Sequence, residues 1–366
     1  MQKGDQATDR RLIIHAGLGK SGSSAIQKYC RDHAIELRTA GACYLGMYLE
    51  RGEPLPDDFA SADDLQRALR EDPAIEDRLV ALLTRRLQGR PQIKTFIWSH
   101  IGLAVSAQLM ERVIARLAPI CRTEVVLYFR HQASWLVSAY LQWGVKHKTV
   151  AGPIKSFADW LPEAKSRGAD YRQVIESWQN AIAPQDLHIR SYDQAPDVVA
   201  DFLTVVGLPT ASVNDGSNRH YQTPDPAVMT LYRLYQGQSD QKALPGALQR
   251  MLAANRVEKK RYREVDPAST LPSGTEWVDF VERFEGENAA LARDFGLILQ
   301  APLHGPRLDP QHAAPAVVIP ALLDLIIAMD RRIAALERKL KASDEIISDT
   351  AVNGRFDASD GAGTNG

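Results

Sequence analysis

Residues 11–27 read RLIIHAGLGKSGSSAIQ, and the rest of the chain is organised around them. The apolar run Leu12 to His15 enters a turn holding Gly17, Gly19 and Gly22 with Lys20 and Ser21, and leaves through Ser23 and Ser24 into a helical pattern. Glycines let consecutive backbone N–H groups converge on one point, and a following helix N-terminus adds partial positive charge. A strand, such a turn and a helix in this order describe an anion cradle for phosphate-like groups. Lys20 adds a full charge, and the serines add hydroxyl donors. The nucleotide-triphosphatase loop G-x-x-x-x-G-K-[ST], aligned on Gly19-Lys20-Ser21, requires glycine where this chain has Ile14.

The spacing that does fit is H-x-G-x-x-K-[ST]-G-[ST]-[ST], matched from His15 to Ser24. It resembles the 5′-phosphosulfate loop of sulfotransferases. The second signature of that family, an arginine at a strand end and a serine eight residues later, is met by Arg130 and Ser138 within EVVLYFRHQASWLVSAYLQ, residues 124–142. The resemblance implies an α/β three-layer sandwich with a mainly parallel central sheet, the P-loop-like sulfotransferase fold. It further implies 3′-phosphoadenosine 5′-phosphosulfate (PAPS) as co-substrate, with no metal. Gly19, Lys20, Ser21, Gly22, Ser23 and Ser24 would hold the 5′-phosphosulfate, and Arg130 and Ser138 the 3′-phosphate. An arginine fork suits phosphate because it meets two oxygens at once.

The chain has 366 residues, 45% of them hydrophobic, enough for one large α/β domain or two smaller ones. Lys and Arg number 44 against 45 Asp and Glu, a balance that argues against a nucleic-acid binder relying on a global basic field. Cys30, Cys43 and Cys121 are odd in number and lack metal-ligand spacing, as expected of thiols in a reducing compartment. MQKGDQATDR at the start lacks a signal-peptide apolar region, and the longest apolar stretch, Ala316 to Met329, contains Pro320 and Asp324. No transmembrane segment and a cytoplasmic location are therefore expected.

Helical patterns run over Ala25–Arg38, Ala62–Arg70, Ala74–Leu87, Ser106–Leu117, His131–Lys146, Tyr171–Ala181, Pro196–Val206 and Ala227–Gln236, and strand patterns over Ala42–Leu45, Lys94–Trp98, Glu124–Phe129 and Asp186–Ser191. Their alternation predicts a mainly parallel sheet with covered faces, where ligands gather beyond the carboxyl ends of the strands. Lys20, His100 and Arg130 each follow a different strand and so share one expected crevice. The sequence divides into a polar tail (1–10), a sulfotransferase-like domain (11–301), a linker marked by Pro302, Pro306, Pro310 and Pro315 (302–318), a heptad-patterned helix (319–348) and a tail expected to be disordered (349–366). In the helix, Leu322, Ile326, Met329, Ile333, Leu336, Leu340 and Ile347 alternate in steps of four and three, broken once at Ser343, which favours a homo-oligomer through a coiled-coil seam. The basic cluster of residues 254–264, ANRVEKKRYRE, reads as a solvated helix face.

For chemistry, Lys20 is placed to neutralise charge on the bridging oxygen as an S–O bond breaks. His100 follows a strand at a point where the family places a base; an imidazole titrates near neutral pH, so it is the candidate to take the acceptor's proton, with Glu36 and His147 as rivals. His15 reads as structural. Trp143, Trp160 and Tyr140 have the shape to stack on sugar rings but read first as core or solvated surface, and the acceptor, a hydroxyl of a carbohydrate or glycolipid, follows from the family alone. Two other classes remain open: a P-loop kinase or nucleotide-binding protein, and a non-catalytic glycan-binding or assembly protein. A kinase site needs a carboxylate for Mg²⁺ at a core strand end, and the strands ending at Trp98 and Phe129 carry none.

Overall fold

In the computed structural model the described residues are 10–51, 59–147, 154–164, 169–210, 228–229, 231–233, 246–254, 271–272, 274–302 and most positions of a helix between 322 and 340. The basic cluster of 254–264 lies almost wholly outside them, as do residues 1–9, most of the proline-marked linker, half of the expected helix 227–236, Ile347 and the tail 349–366.

Strands β1 (Arg11–His15), β2 (Ala42–Tyr44), β3 (Thr95–Ser99), β4 (Arg122–Phe129) and β5 (Leu187–Ser191) form one sheet in the order β2-β3-β1-β4-β5. Every pairing is parallel, with Ile13 opposite Ile97 on one side and Glu124 on the other. Period-two alternation sends the two faces of each strand into separate cores. Leu12, Ile14, Phe96, Trp98, Val125 and Leu127 join one core with α3 (Ala62–Glu71), α4 (Ile75–Gln88), α5 (Ala107–Leu117) and α8 (Tyr171–Ala181). Ile13, Ile97, Val126 and Tyr128 join the other with α1 (Ser23–Asp32), α2 (Ala34–Thr39) and α9 (Val198–Val205). Helices thus cover both faces, giving the three-layer α/β sandwich the sequence led us to expect. Because β1 lies between β3 and β4, the chain steps over β1 on passing from one to the other, and the crevice above β1 and β4 is the topological switch point.

Two helices depart from their sequence pattern. The expected helix 25–38 breaks at His33, whose φ −107° and ψ 35° end α1 and start α2 while its ring stacks on Tyr29. The expected helix 131–146 is α-helical only over α6 (Gln132–Ala139); Tyr140–Lys146 winds as a π-helix. Gly144 sits inside that wider turn, where a Cβ would meet the Tyr140 ring at 2.5 Å. Outside every helical pattern read from the sequence, the chain forms α7 (Phe157–Ala164).

At the amino end of the sheet, Arg11 donates to Glu124 from Nε (2.7 Å) and Nη2 (3.0 Å), and His188 Nε2 lies 3.1 Å from the same carboxylate. Burial raises the Glu124 carboxyl, but the hydrogen bonds from His188 and Arg11 outweigh it and hold the group down at about 2.

The chain forms two compact units. One comprises Met1–His147, Ile154–Thr223 and Thr270–Arg307 and contains the sheet. The other comprises Lys148–Pro153, Pro224–Ser269 and Leu308–Gly366; its described parts include α10 (Gly246–Ala254) and the heptad helix. After α10 the first unit resumes with α11 (Gly274–Glu282) and α12 (Glu285–Phe295).

Candidate functional site

The loop after β1 is held from below. His15 Nδ1 lies 2.7 Å from Ser99 Oγ, and Gln27 Nε2 donates to both the carbonyl and the hydroxyl of Ser99 at 3.2 Å. Burial pushes the His15 imidazole down to about 3, so it is neutral, as a structural histidine under the loop should be. The loop is also closed from the side. Trp135 Nε1, in α6, donates to the Gly19 carbonyl at 2.7 Å, and a Cβ on Gly19 would stand 2.8 Å from the Trp143 ring. Trp143 therefore packs on the loop backbone, and glycine at 19 is what permits its approach.

Two consecutive features give the loop its shape. Lys20 has φ +69°, a left-handed conformation rare for a residue with a side chain, and Gly22 has φ +87° as the N-cap of α1. Alternation of this kind turns successive N–H groups toward one concavity. Ser21 is fully buried and its Oγ has no partner among the described residues. Ser23 is buried with its hydroxyl 3.4 Å from the Leu18 carbonyl, whereas Ser24 is exposed in the first turn of α1. A buried hydroxyl without a partner costs free energy unless a ligand supplies one.

The second motif stands across the switch point. Arg130 follows β4, and its guanidinium lies 5.6 Å from the Tyr192 ring centroid and 4.0 Å from Asp193 Oδ1. Asp193 Oδ2 accepts from the His131 backbone at 2.6 Å and Tyr171 donates to the Arg130 carbonyl at 2.7 Å, so the start of α6 is fixed from the end of β5 and from α8. Ser138 is 8% exposed on α6. The Arg130 Nε is buried and finds no hydrogen-bond partner among the described residues.

The two motifs share an electrostatic field. The Lys20 ammonium is pushed down to about 8, first by burial, then by the positive charges of Arg130 and Lys146. Lys146 is buried at the end of the π-helix. Three cations close enough to depress one of them form a site that favours an anion.

His100, the candidate base, lies against backbone at the end of β3. It is 2% exposed, its Nδ1 accepts from the Gly102 N–H at 3.0 Å, and Nε2 lies 3.4 Å from the Ala62 carbonyl. Both ring nitrogens are therefore engaged with backbone, and burial lowers the imidazole to about 4. The physical reason is local. The Ile101–Val105 segment after β3 is a short 3₁₀ turn whose first N–H groups need a cap, and His100 provides it. Glu36 is exposed on α2, and the His147 backbone N–H closes the π-helix onto Gln142.

Sequence reasoning missed Tyr192 and Asp193, whose only signal was their place just beyond the fifth strand, and the packing of Trp143 on Gly19, which a regular helix would not deliver. Among the described residues no three His, Cys, Asp or Glu side chains gather as metal ligands, and no helix is long and apolar enough to cross a membrane.

No protein-family model matches the chain, and no curated protein matches it. Among solved structures, a sulfotransferase from Alicyclobacillus acidocaldarius superposes with a TM-score of 0.38 and 15% identity, over 67% of this chain and 98% of that one. At those values the likeness is one of chain outline and carries no chemistry.

Proposed function

We propose that the chain is a sulfotransferase that moves a sulfuryl group from PAPS to an acceptor hydroxyl, with a carbohydrate or glycolipid as the acceptor class. One observation carries the reading: Lys20 and Arg130, each the charged member of a separate sulfotransferase-like motif, lie close enough for the charge of one to lower the pKa of the other. A nucleotide with an anionic group at each end fits two such sites on one crevice, and a single phosphate does not require both.

The loop's N–H groups, the buried Ser21 hydroxyl and the N-terminus of α1 would receive the 5′ end, while Arg130 and Ser138 would receive the 3′-phosphate. The donor supplies the sulfuryl group. Lys20, held near 8, keeps its proton at neutral pH and can neutralise charge growing on the departing oxygen. The acceptor class rests on the family resemblance alone, and no base is assigned.

Calorimetric titration with 3′,5′-adenosine bisphosphate tests the reading. Binding that weakens in both Lys20→Met and Arg130→Ala supports it. No binding removes it, and tight Mg²⁺-ATP binding in its place moves the chain to the kinase class. With binding in hand, a labelled-donor screen of acceptors identifies the hydroxyl.

A further inference from the structure

The heptad helix of the second unit presents an apolar stripe that no described residue covers. Leu322, Ile326, Met329, Ile333, Leu336 and Leu340 are all exposed, from 38% for Leu322 to 63% for Leu340. A stripe this regular costs free energy in water, and a second helix of the same pattern covers it by knobs-into-holes packing.

The residue types along the stripe specify what that second helix is. In the four-three register, Ile326, Ile333 and Leu340 occupy the a positions, and Leu322, Met329 and Leu336 the d positions. β-Branched residues at a with leucine at d favour two parallel strands over higher oligomers. The flanking charges agree. Arg332 occupies a g position and Glu337 the e position of the next heptad, and both are exposed. In a parallel pair, g of one helix faces the following e of its partner, so Arg332 meets Glu337 twice across the two-fold axis. An antiparallel pair sets g against g and e against e, placing like charges together. The next such pair in sequence, Lys339 and Asp344, has the same signs but falls outside the described residues.

We propose that residues 322–340 form a parallel, in-register, two-stranded coiled coil with a second copy of this chain. The inference is independent of the sulfotransferase reading, since no residue of the stripe belongs to the anion site.

Light scattering and sedimentation velocity on the full chain test it. The parent protein should show twice the mass of one chain, and Ile333→Glu should return it to one chain. Because Ile333 is exposed in the single chain, that substitution leaves the sheet-bearing unit folded, checked by an unchanged near-ultraviolet circular dichroism spectrum. Arg332→Glu and Glu337→Arg should each raise the dimer dissociation constant roughly threefold to tenfold, from loss of two exposed ion pairs and gain of repulsion. The double exchange should restore it. A parent of single-chain mass up to roughly 100 µM overturns the proposal. So does a dimer in which Ile333→Glu changes nothing, and so does a double exchange that rescues nothing, which would leave an antiparallel pair or another surface.

Discussion

Raising the pH from 7 to 9 should weaken the binding of 3′,5′-adenosine bisphosphate about tenfold through Lys20 alone. The ammonium of Lys20 titrates at about 8 in the free protein, because burial and the charges of Arg130 and Lys146 oppose it. A bound dianion reverses the last two influences, so the pKa rises in the complex. A group whose pKa is higher bound than free binds a proton with the ligand, and affinity falls as pH rises through the free value. At pH 7 about nine-tenths of Lys20 carries its proton, and at pH 9 about one-tenth, which gives the tenfold figure. Full recovery of the ordinary value of 10.5 in the complex would cap the total effect at about 3 kcal/mol. Calorimetry at pH 7, 8 and 9 in buffers of different ionisation enthalpy would measure both the affinity and the protons taken up. Lys20→Met should bind more weakly at pH 7 and lose the pH dependence. An equal slope in parent and variant would refute the reasoning, because the titrating group would then lie elsewhere.

Gly22→Ala should destabilise the fold by about 2–4 kcal/mol, combining a left-handed backbone with a Cβ 2.8 Å from Val198 and 3.0 Å from Tyr192, and should abolish bisphosphate binding; denaturant melts and calorimetry read both. His100→Asn should keep the acceptor for the Gly102 N–H and leave transfer nearly unchanged, whereas His100→Ala should cost about 1 kcal/mol of stability. Transfer lost in the Asn variant while donor binding persists would return His100 to the role of base. Acid unfolding should come in two ranges. Below about 6.5 stability should fall because unfolded His15 and His100 take protons that the folded chain refuses down to about 3 and about 4. From about 4.5 towards 2 it should fall further as Glu124, whose folded pKa is depressed, is protonated, and Glu124→Gln should flatten that second range in melts taken against pH.

Much of this molecule is legible from residues 11–27 and 124–142, because strand, glycine turn and helix start are local properties of sequence. The parallel sheet follows from the alternation of apolar runs and helical patterns, and the alternate assignment of β1, β3 and β4 residues to two cores follows from their pleat. What sequence could not supply were relations between distant segments. A histidine after a strand looks the same in sequence whether it faces a substrate or caps a turn, and that the His100 ring meets Gly102 and Ala62 is visible only in three dimensions. Periodicity over 131–146 fits an α-helix, yet tertiary packing of Tyr140 on Phe157 and Trp160 accompanies a wider winding from Tyr140 onward. Tyr192 and Asp193 carry no motif at all, and their importance comes from β5 lying beside β4.

That wider winding ties reactivity to a residue count. A π-turn holds one residue more than the α-turn it replaces, and each residue rotates a helix by about 100°. Removing one residue from Tyr140–Lys146 would therefore swing everything beyond the cut around the axis and carry Lys146 away from Lys20. The three-cation cluster would shrink to two without any charged side chain having been changed. Lys20 would then hold its proton more tightly, so the length of one short helix adds to burial and to Arg130 in setting how the site responds to pH.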